Sequence, residues 1–302
     1  MVKTLLTLLV FLIVLSSRLE GVRILHLTDL HIDYLKLFSR NYLKNIQTIR
    51  SNILLLKPDI VVLTGDIVEF GEGIFSCENY RILTNIFYYS NGMFYFDRDY
   101  KIPIYMVAGN HEYETLFKTT STEIPNYIRF VGKRFLNYYI DISNVRLIFI
   151  DTGYDYYFSF FAYNGILPEP EASGLTASQI NFLKSALETS TNRFNIILTH
   201  HPFLNKDDEG IFLFNRDEFY NLTKSNKVSL ILSGHTHENR VFDSKMNLVR
   251  SFPITNINDI YHVQTGSIGK DGYFRMIEVF EWGIVINKHS NISELLNSSS
   301  IQ

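Results

Sequence analysis

The 302-residue chain contains a single cysteine, Cys77, and no run of basic residues. One thiol cannot form an intramolecular disulfide, so cysteine usage gives no information about the redox compartment. Lysine and arginine are scattered along the chain, and the formal net charge is −3. The sequence therefore lacks a polybasic segment that would favour nucleic acid or acidic lipid, and we expect no nucleic-acid partner.

The sequence also lacks internal repeats, low-complexity blocks and long linkers. Hydrophobic residues make up 46% of the chain, which is enough to bury a large core. The length would allow two domains of roughly 150 residues, but α/β folds often use this length as one. We expect one domain over residues 22–290, followed by a polar tail over 291–302 that is rich in Ser and Asn.

One long apolar run is present, and it lies at the N-terminus, where Lys3 precedes Leu5–Leu15. This pattern predicts a signal peptide or a signal anchor over residues 1–21. The run is shorter than the roughly 20 residues of a membrane span, yet Leu19 makes a poor cleavage site, so both alternatives stay open. A buried helix is disfavoured because the run is apolar on every side.

Export would place the chain in the secretory pathway or outside the cell, and an uncleaved leader would tether it to a membrane. Glycosylation of an exported chain occurs at Asn-x-Ser/Thr triplets. Three such triplets are present, at Asn221, Asn291 and Asn297. They agree with export, although an Asn- and Ser-rich chain also produces such triplets by chance.

Five predicted strands end abruptly in polar residues. They are Arg23–Leu27, Ile60–Leu63, Ile104–Val107, Ile196–Leu198 and Val228–Leu232. Helical spacing predicts helices between Ser39 and Lys57 and around Tyr80–Tyr89, and a capping box at Thr176 begins another helix that runs through Leu187. This alternation predicts an α/β fold with parallel strands, whose C-terminal ends are the usual ligand edge. Further strands are expected at Val145–Ile150 and within 249–286.

Six of the nine histidines lie in the polar segments after these strands, together with two aspartates and an asparagine. Imidazole, carboxylate and amide donors without a thiolate suit Zn, Fe or Mn ions. Each Asp-x-His or His-x-His pair alone is more typical of a cap or turn. A structural zinc site needs only four ligands, so a set of seven or more predicts two metals.

The five segments are Asp29-Leu30-His31, Gly65-Asp66, Gly109-Asn110-His111-Glu112, His200-His201-Pro202 and Gly234-His235-Thr236-His237. Together, in this order, they resemble the calcineurin-like metallophosphoesterase superfamily from about Arg23 to Ile286. The resemblance implies a four-layer α/β/β/α sandwich of two mixed sheets flanked by helices. It is specific for the superfamily but not for the substrate.

The resemblance also implies the ligands of two transition-metal ions. One ion would bind Asp29, His31, Asp66 and His237. The other would bind Asp66, Asn110, His200 and His235. Asp66 would bridge the ions, a metal-bound hydroxide would attack phosphorus, and His111 would protonate the leaving group. His201 and Glu112 are expected behind the ligands or against the substrate.

Three positions depart from particular relatives. Phosphoprotein phosphatases of the superfamily clamp phosphate with two arginines, where this chain has Phe70 and Ala108. Purple acid phosphatases use a tyrosine ligand where this chain has Glu69. Both readings are thereby disfavoured, and the segment Gly234–His237 instead looks like that of phosphodiesterase-type members. Gly266 and Ser267 resemble a late family segment near the metals.

The expected function is hydrolysis of a small-molecule or lipid-like phosphomonoester or phosphodiester. The alternative is a catalytically silent binding or scaffold protein that retains the fold. Two aromatic stretches, 87–100 and 154–163, are candidates for substrate walls, with core packing as the alternative. His26, His262 and His289 lie outside the five segments and are expected to be structural.

Overall fold

A computed structural model describes residues 21–38, 54, 56–96, 98–99, 101–155, 172–204, 211–225, 228–256 and 258–291. The predicted leader, most of the predicted helix between Ser39 and Lys57, and nearly all of the predicted polar tail lie outside the described residues. Within the described ranges, no helix combines the length and the apolar character that a membrane crossing requires.

The described residues form seventeen strands and five α-helical segments. The strands are β1 (Val22–Leu27), β2 (Ile60–Thr64), β3 (Tyr88–Ser90), β4 (Met93–Tyr95), β5 (Pro103–Val107), β6 (Asn137–Ile142), β7 (Val145–Ile150), β8 (Ala172–Gly174), β9 (Phe194–Leu198), β10 (Ile211–Phe214), β11 (Val228–Ser233), β12 (Arg240–Phe242), β13 (Ile254–Asn256), β14 (Tyr261–Gln264), β15 (Tyr273–Val279), β16 (Ile284–Ile286) and β17 (Ser290–Asn291). The helices are α1 (Ser76–Ile86), α2 (Pro125–Tyr127), α3 (Ala177–Glu188), α4 (Arg216–Ser225) and α5 (Ile268–Asp271).

Most strands belong to two mixed sheets. The larger has the order β13-β16-β15-β1-β2-β5-β4-β3, with β17 paired to β15. Its strands β1, β2 and β5 are parallel, whereas β15 and β4 run antiparallel to their neighbours. The smaller has the order β12-β14-β11-β9-β7-β6, with four parallel central strands and antiparallel edges. Strands β8 and β10 form a separate pair.

Three apolar clusters separate four layers. Successive side chains of a strand face opposite sides, so Ile24 of β1 packs between the sheets while Leu25 packs toward α1. Helices α1 and α2 cover the outer face of the larger sheet, and α3 and α4 cover the smaller one. Strands buried on both faces are predominantly apolar, and a polar residue in them, such as His26 of β1, has hydrogen-bond partners. The predicted four-layer α/β/β/α sandwich is confirmed.

Helix α3 begins as predicted, with a capping box. The Thr176 hydroxyl accepts a hydrogen bond from the Gln179 main-chain N–H, and Gln179 Oε1 accepts one from the Thr176 main-chain N–H. The prediction for Tyr80–Tyr89 is wrong at its C-terminal end. The helix stops at Ile86, and the chain enters a β3–β4 hairpin through Asn91 and Gly92, both with positive φ. An Asn-Gly turn between β-prone aromatic residues favours a hairpin over a longer helix.

The aromatic stretch 87–100 does not form a substrate wall where the structure describes it. Phe87, Phe94 and Phe96 are almost fully buried in the cluster under α1, so the core-packing alternative is the correct one. These rings stabilise the edge hairpin of the larger sheet by removing apolar area from water. Of the second stretch, only Tyr154 and Asp155 are described; the Tyr154 ring packs 5.6 Å from that of Tyr113.

Candidate metal centre

The polar segments after β1, β2, β5, β9 and β11 meet at one edge of the sandwich. Main-chain bonds join them directly: His31 N–H donates to the Asp66 carbonyl at 2.9 Å, and Gly234 N–H donates to the His200 carbonyl at 3.0 Å. Parallel neighbours present their C-terminal ends on the same side, so segments far apart in sequence converge. Each sheet contributes segments, and the centre lies across the seam between them.

Several of the converging residues adopt a left-handed backbone conformation. They are Asp29, His31, Asp66, His235 and His237, with φ between 48° and 68°. Positive φ is uncommon outside glycine and costs free energy, so its clustering is typical of functional sites. The conformation turns each side chain back toward the sheet edge instead of along the strand.

Two glycines allow the segments to approach closely. A Cβ atom at Gly109 would overlap the carboxylate of Asp66, and one at Gly234 would overlap the side chains of Thr28 and Asp29. The side chains of Thr28, Asp29 and Asp66 are buried and cannot move aside to relieve these overlaps. Glycine is therefore required here for space.

The first group of donors, called position 1, consists of Asp29, His31, Asp66 and His237. His31 Nε2 lies 3.0 Å from His237 Nε2, 3.9 Å from Asp29 Oδ1 and 3.8 Å from Asp66 Oδ2. His237 Nε2 lies 3.3 Å from Asp29 Oδ1. The four side chains thus aim their lone-pair atoms at one point.

The second group, called position 2, consists of Asp66, Asn110, His200 and His235. His200 Nε2 lies 2.9 Å from Asn110 Oδ1 and 3.2 Å from Asp66 Oδ1. His235 Nδ1 lies 3.2 Å from Asn110 Oδ1 and 3.3 Å from His200 Nε2. Asp66 presents Oδ2 to position 1 and Oδ1 to position 2.

Both positions fit a metal ion. The atom Asp29 Oδ1 is buried without a hydrogen-bond partner, which is costly unless a cation satisfies it. Metal–ligand bonds of about 2.0–2.2 Å bring ligand atoms within roughly 3–4 Å of one another, as here. Groups of His and Asp that could hold an ion occur at both positions. Nitrogen and hard oxygen donors suit Zn, Fe or Mn.

The electrostatics of the centre balance carboxylates against imidazoles. Burial opposes ionisation of Asp66, but the His200 and His111 imidazoles hold the pKa of this carboxyl well below its usual range. Burial likewise disfavours the charged form of His200, but Asp66 and Asp29 raise its pKa to about 10. Without metal the His200 imidazole is therefore protonated on both ring nitrogens, and a metal ion that binds it displaces one of these protons.

Glu112 connects two of the converging segments. Its carboxylate accepts main-chain N–H bonds from Asp66 at 3.0 Å, Ile67 at 2.9 Å, Val68 at 3.1 Å and Gly109 at 2.6 Å. Burial and the Asp66 carboxylate raise the pKa of Glu112, while the Gly109 and Val68 amides act in the opposite direction and favour the ionised form. Glu112 thus binds main-chain groups and fixes the loop that carries Asp66.

Residues 22–239 match the model of the calcineurin-like phosphoesterase family. The chain belongs to this family. The expected superfamily and the expected enzyme class, a metal-dependent phosphoric ester hydrolase, are thereby confirmed. A probable cyclic nucleotide phosphodiesterase from Xenorhabdus bovienii (strain SS-2004) is 26% identical over 271 residues, which cover 85% of this chain and 95% of the relative.

Three solved structures share the fold. Purple acid phosphatase PPD1 from yellow lupin (Lupinus luteus) has a TM-score of 0.62 and 15% identity, covering 90% of this chain and 52% of the lupin chain. A dimetal phosphatase from Danio rerio has a TM-score of 0.58 and 14% identity, covering 90% and 99%. GAP50, the anchor in the inner membrane complex of Plasmodium, has a TM-score of 0.51 and 16% identity, covering 93% and 94%. This chain spans about half of the lupin chain.

In this calcineurin-like chain, His111 lies on the rim of the centre. Its Nδ1 contacts the Glu69 carbonyl at 2.5 Å, and its Nε2 lies 3.9 Å from Asp66 Oδ2. Burial disfavours the charged ring, but the carboxylates of Asp66 and Glu114 raise the pKa of His111 to about 9. Nδ1 thus faces a main-chain acceptor, and Nε2 faces the centre.

Glu69, at the position of the purple acid phosphatase tyrosine, does not face the shared point of position 1. Its Oε2 lies 3.2 Å from His31 Nδ1, the ring nitrogen opposite the one that faces position 1. Its Oε1 lies 3.3 Å from Lys36 Nζ. Although burial opposes ionisation, the His31 ring lowers the pKa of Glu69 to about 2. Such a carboxylate orients a ligating imidazole and fixes its tautomer.

His201 lies beside His200 and His235 of position 2, but both of its ring nitrogens contact other partners. Its Nδ1 lies 2.7 Å from the Thr152 hydroxyl, and its Nε2 lies 2.9 Å from Asp155 Oδ1. Burial and the neighbouring His235 lower the pKa of His201 to about 4. Sequence reasoning missed Asp155, although the signal existed: β7 also ends in a polar segment, Asp151-Thr152-Gly153-Tyr154-Asp155.

A cavity of about 430 Å³ opens beside position 1. Its lining residues are Leu30, His31, Lys36, Glu69, His111, His237, Gly269 and Lys270. The segment after β14 forms one side of it: Ser267 donates a hydrogen bond to the Asp29 carbonyl at 2.8 Å, and Gly269 N–H donates to the same carbonyl at 3.1 Å. Ser267 and Gly269 therefore support the loop that carries Asp29, whereas Gly266 N–H donates to Asn239 Oδ1 at 3.0 Å.

The three histidines outside the five segments make contacts typical of structural residues. His26 is fully buried and lies 2.8 Å from the hydroxyls of both Thr64 and Thr265. His262 stacks on Phe203 with ring centroids 5.7 Å apart. His289 packs edge-on against Tyr273 at 5.3 Å.

Proposed function

We propose that this chain is a dinuclear phosphoesterase that hydrolyses a small-molecule phosphodiester. The observation that carries the proposal is the placement of Asp66, whose two oxygens face two separate groups of nitrogen and oxygen donors. A single shared carboxylate fixes the separation of two cations and screens their repulsion. An isolated structural ion would not need a second complete group of donors.

When bound, two such ions lower the pKa of a coordinated water and neutralise charge that develops on the phosphoryl oxygens. The chain itself supplies the leaving-group proton. His111 directs Nδ1 to a carbonyl and keeps Nε2 toward the centre, within 3.9 Å of Asp66 Oδ2. A proton held on Nε2 can therefore pass to the leaving group, so the ring is placed to act as a general acid.

Three features support a phosphodiester over a phosphoprotein. Phe70 and Ala108 replace the two phosphate-clamping arginines, and both are buried. The cavity of about 430 Å³ has the size of a small-ligand site, and Lys36 and Lys270 give its lining positive charge. A relative of similar length is a probable cyclic nucleotide phosphodiesterase, so cyclic nucleotides are the first substrates to test.

The alternative of a silent scaffold is not favoured by the site. GAP50 shares the fold and is an anchor, so the fold alone does not establish turnover. A protein that had lost catalysis would have no reason to keep five strained backbone conformations and the closely approaching glycines at the same edge. Both groups of donors are complete in this chain.

Export is part of the proposal and is supported by the apolar run Leu5–Leu15 after Lys3. N-terminal sequencing of the secreted or membrane-extracted chain would distinguish a cleaved signal peptide from an anchor. An intact N-terminus in a chain that remains soluble in the cytoplasm would contradict export. The exposed sequon at Asn221 offers a second readout, because glycosylation there would add mass removable by an amidase.

The experiment that tests the proposed activity uses the full chain, stripped of metal and then supplied with Mn²⁺, Zn²⁺ or Fe²⁺. We expect metal-restored hydrolysis of bis(p-nitrophenyl) phosphate and of cyclic nucleotides, faster than that of p-nitrophenyl phosphate. The Asp66→Asn variant should remain inactive with every metal. Two bound ions per chain without hydrolysis of any ester would contradict the enzyme assignment.

A further inference from the structure

The carboxylate of Asp155 contacts both Asn110, a member of position 2, and His201, which lies next to it. It lies five residues beyond β7, and its side chain is 19% exposed. Its Oδ2 accepts a hydrogen bond from Asn110 Nδ2 at 2.9 Å, and its Oδ1 lies 2.9 Å from His201 Nε2. Each oxygen therefore contacts a different side chain. One is that of Asn110, which belongs to position 2, and the other is that of His201, which lies beside it.

The contact with Asn110 decides which end of the amide faces the metal position. A carboxamide has an N–H end and an oxygen end, and only the oxygen binds a cation. Asn110 Nδ2 donates to Asp155 and, at 3.3 Å, to Glu114. Since a carboxylate only accepts hydrogen bonds, these two acceptors keep the N–H end outward and Asn110 Oδ1 toward His200 and His235.

The contact with His201 keeps a third imidazole out of position 2. The Thr152 hydroxyl accepts the His201 main-chain N–H at 3.3 Å, so its own proton is available for His201 Nδ1 at 2.7 Å. His201 Nε2 then carries the ring proton and donates it to Asp155. Without this acceptor, His201 could present Nε2 to a metal together with His200 and His235, with which it already forms a potential metal-binding group.

We propose that Asp155 is a positioning residue that sets the composition of metal position 2, by orienting the Asn110 amide oxygen inward and by holding His201 outside the coordination sphere. The inference rests on the proposed dinuclear centre and adds to it the residue that defines one half. Asp155 need not touch the substrate or the metal. Its action passes through two side chains that it contacts directly.

The test measures metal binding by the full chain, so it does not depend on turnover. Asp155→Ala removes both contacts, and Asp155→Asn keeps the size while supplying only one acceptor oxygen. We expect the Co²⁺ or Mn²⁺ ion at position 2, the one released more slowly to a chelator, to bind 10–100-fold less tightly in Asp155→Ala, with a smaller loss in Asp155→Asn. Asp217→Asn, an exposed carboxylate of α4, is the matched control for charge removal.

A second readout separates positioning from general loosening. In the Co²⁺-loaded Asp155→Ala variant, paramagnetically shifted imidazole N–H signals should increase by one as His201 enters position 2, and the added His201→Phe change should remove that signal. Unchanged affinity for both ions in both Asp155 variants would overturn the inference. If the wild-type chain bound two ions and the variants behaved as expected, but no ester were hydrolysed, the proposed activity would fail while the positioning role stood.

Discussion

The two metal positions share Asp66 but differ in their access to solvent. At position 1, the side chains of His31 and His237 are 13% and 29% exposed, and both line the cavity. At position 2, His200 is fully buried and Asn110 is 4% exposed, while His235 is half-buried. The proposed centre would thus combine an open half beside the cavity with a half that is more enclosed by protein.

The supports of the two halves differ as well. At position 1, the Glu69 carboxylate contacts His31, and Lys36 in turn contacts Glu69 at the cavity wall. At position 2, Asp155 holds the amide of Asn110, and His200 Nδ1 lies 2.7 Å from the main-chain carbonyl of Thr64. Changes beside His31 should therefore affect one ion, and changes beside Asn110 the other.

The largest expected effect comes from removing what the halves share. Asp66→Asn replaces the bridging carboxylate by a neutral amide that cannot screen two cations, so both positions should lose affinity together. We expect metal content to fall toward zero and turnover to fall on the order of 10³-fold, equal to about 4 kcal/mol. Elemental analysis and steady-state kinetics check this. If Asp66→Asn kept one tightly bound ion, Asp66 would not be a ligand shared by both positions.

The next effect concerns Glu112, which supports the loop common to both halves. Each oxygen of Glu112 accepts two main-chain N–H groups, so the amide nitrogen of Glu112→Gln must face two donors in either orientation. We expect the free energy of unfolding to fall by about 3 kcal/mol and turnover by about 10²-fold. Denaturant unfolding and kinetics measure both, with exposed Glu188→Gln as the matched control. A variant as stable as that control would contradict the role.

The third prediction sharpens the comparison by removing metal stepwise. Because position 1 opens on the cavity, a chelator should take its ion first and leave a species with one ion. We expect two kinetic phases of metal loss, with activity lost in the faster phase. Metal release can be followed with a colorimetric chelator while aliquots are assayed. A single phase that removes both ions at the same rate would mean that exposure does not distinguish the halves.

A smaller effect should follow from Glu69→Gln. The amide cannot accept the His31 N–H as strongly as a carboxylate, so the imidazole becomes a weaker and less well oriented ligand. We expect the fast phase of metal loss to accelerate by about tenfold while the slow phase stays unchanged. Asp155→Ala is the reciprocal variant and should change the slow phase instead. Equal effects of both variants on both phases would show that the halves are not supported separately.

The five ligand segments could be predicted from the sequence because each is contiguous and directly follows an apolar strand. Asp29 and His31, for example, come immediately after β1, whose burial on both faces makes it apolar. Nothing beyond local pattern and the rule that parallel strands end at one edge was needed. The four-layer arrangement came from the resemblance, since periodicity alone does not reveal how two sheets pack.

The contacts that the supporting residues make could not be predicted in this way. Asp155 contacts Asn110 across 45 residues, and that contact depends on how β5 of the larger sheet packs against β7 of the smaller one. Glu69 reaches His31 only because the loop after β2 folds back over the loop after β1. An exposed-looking acidic residue in a loop gives no local sign of its partner, so tertiary structure decides its role.

The last prediction concerns His262, which lies outside both metal positions. Its substitution should change the stability of the fold without changing metal binding at either position. Burial lowers the pKa of His262 to about 4, below the value of about 6.5 in the unfolded chain. The unfolded chain therefore takes up the proton first, and stability is lost as pH falls from about 6.5 toward 4. At pH 5 this costs about 2 kcal/mol, which His262→Phe should recover. Urea unfolding at pH 5 and pH 8 measures the difference, with pH 8 as the control because histidine is neutral there in both states.

Metal content and turnover at pH 8 should stay the same, since His262 stacks on Phe203 and contacts neither position. Loss of either ion would mean that the two halves depend on the packing of the smaller sheet as well as on their own carboxylates.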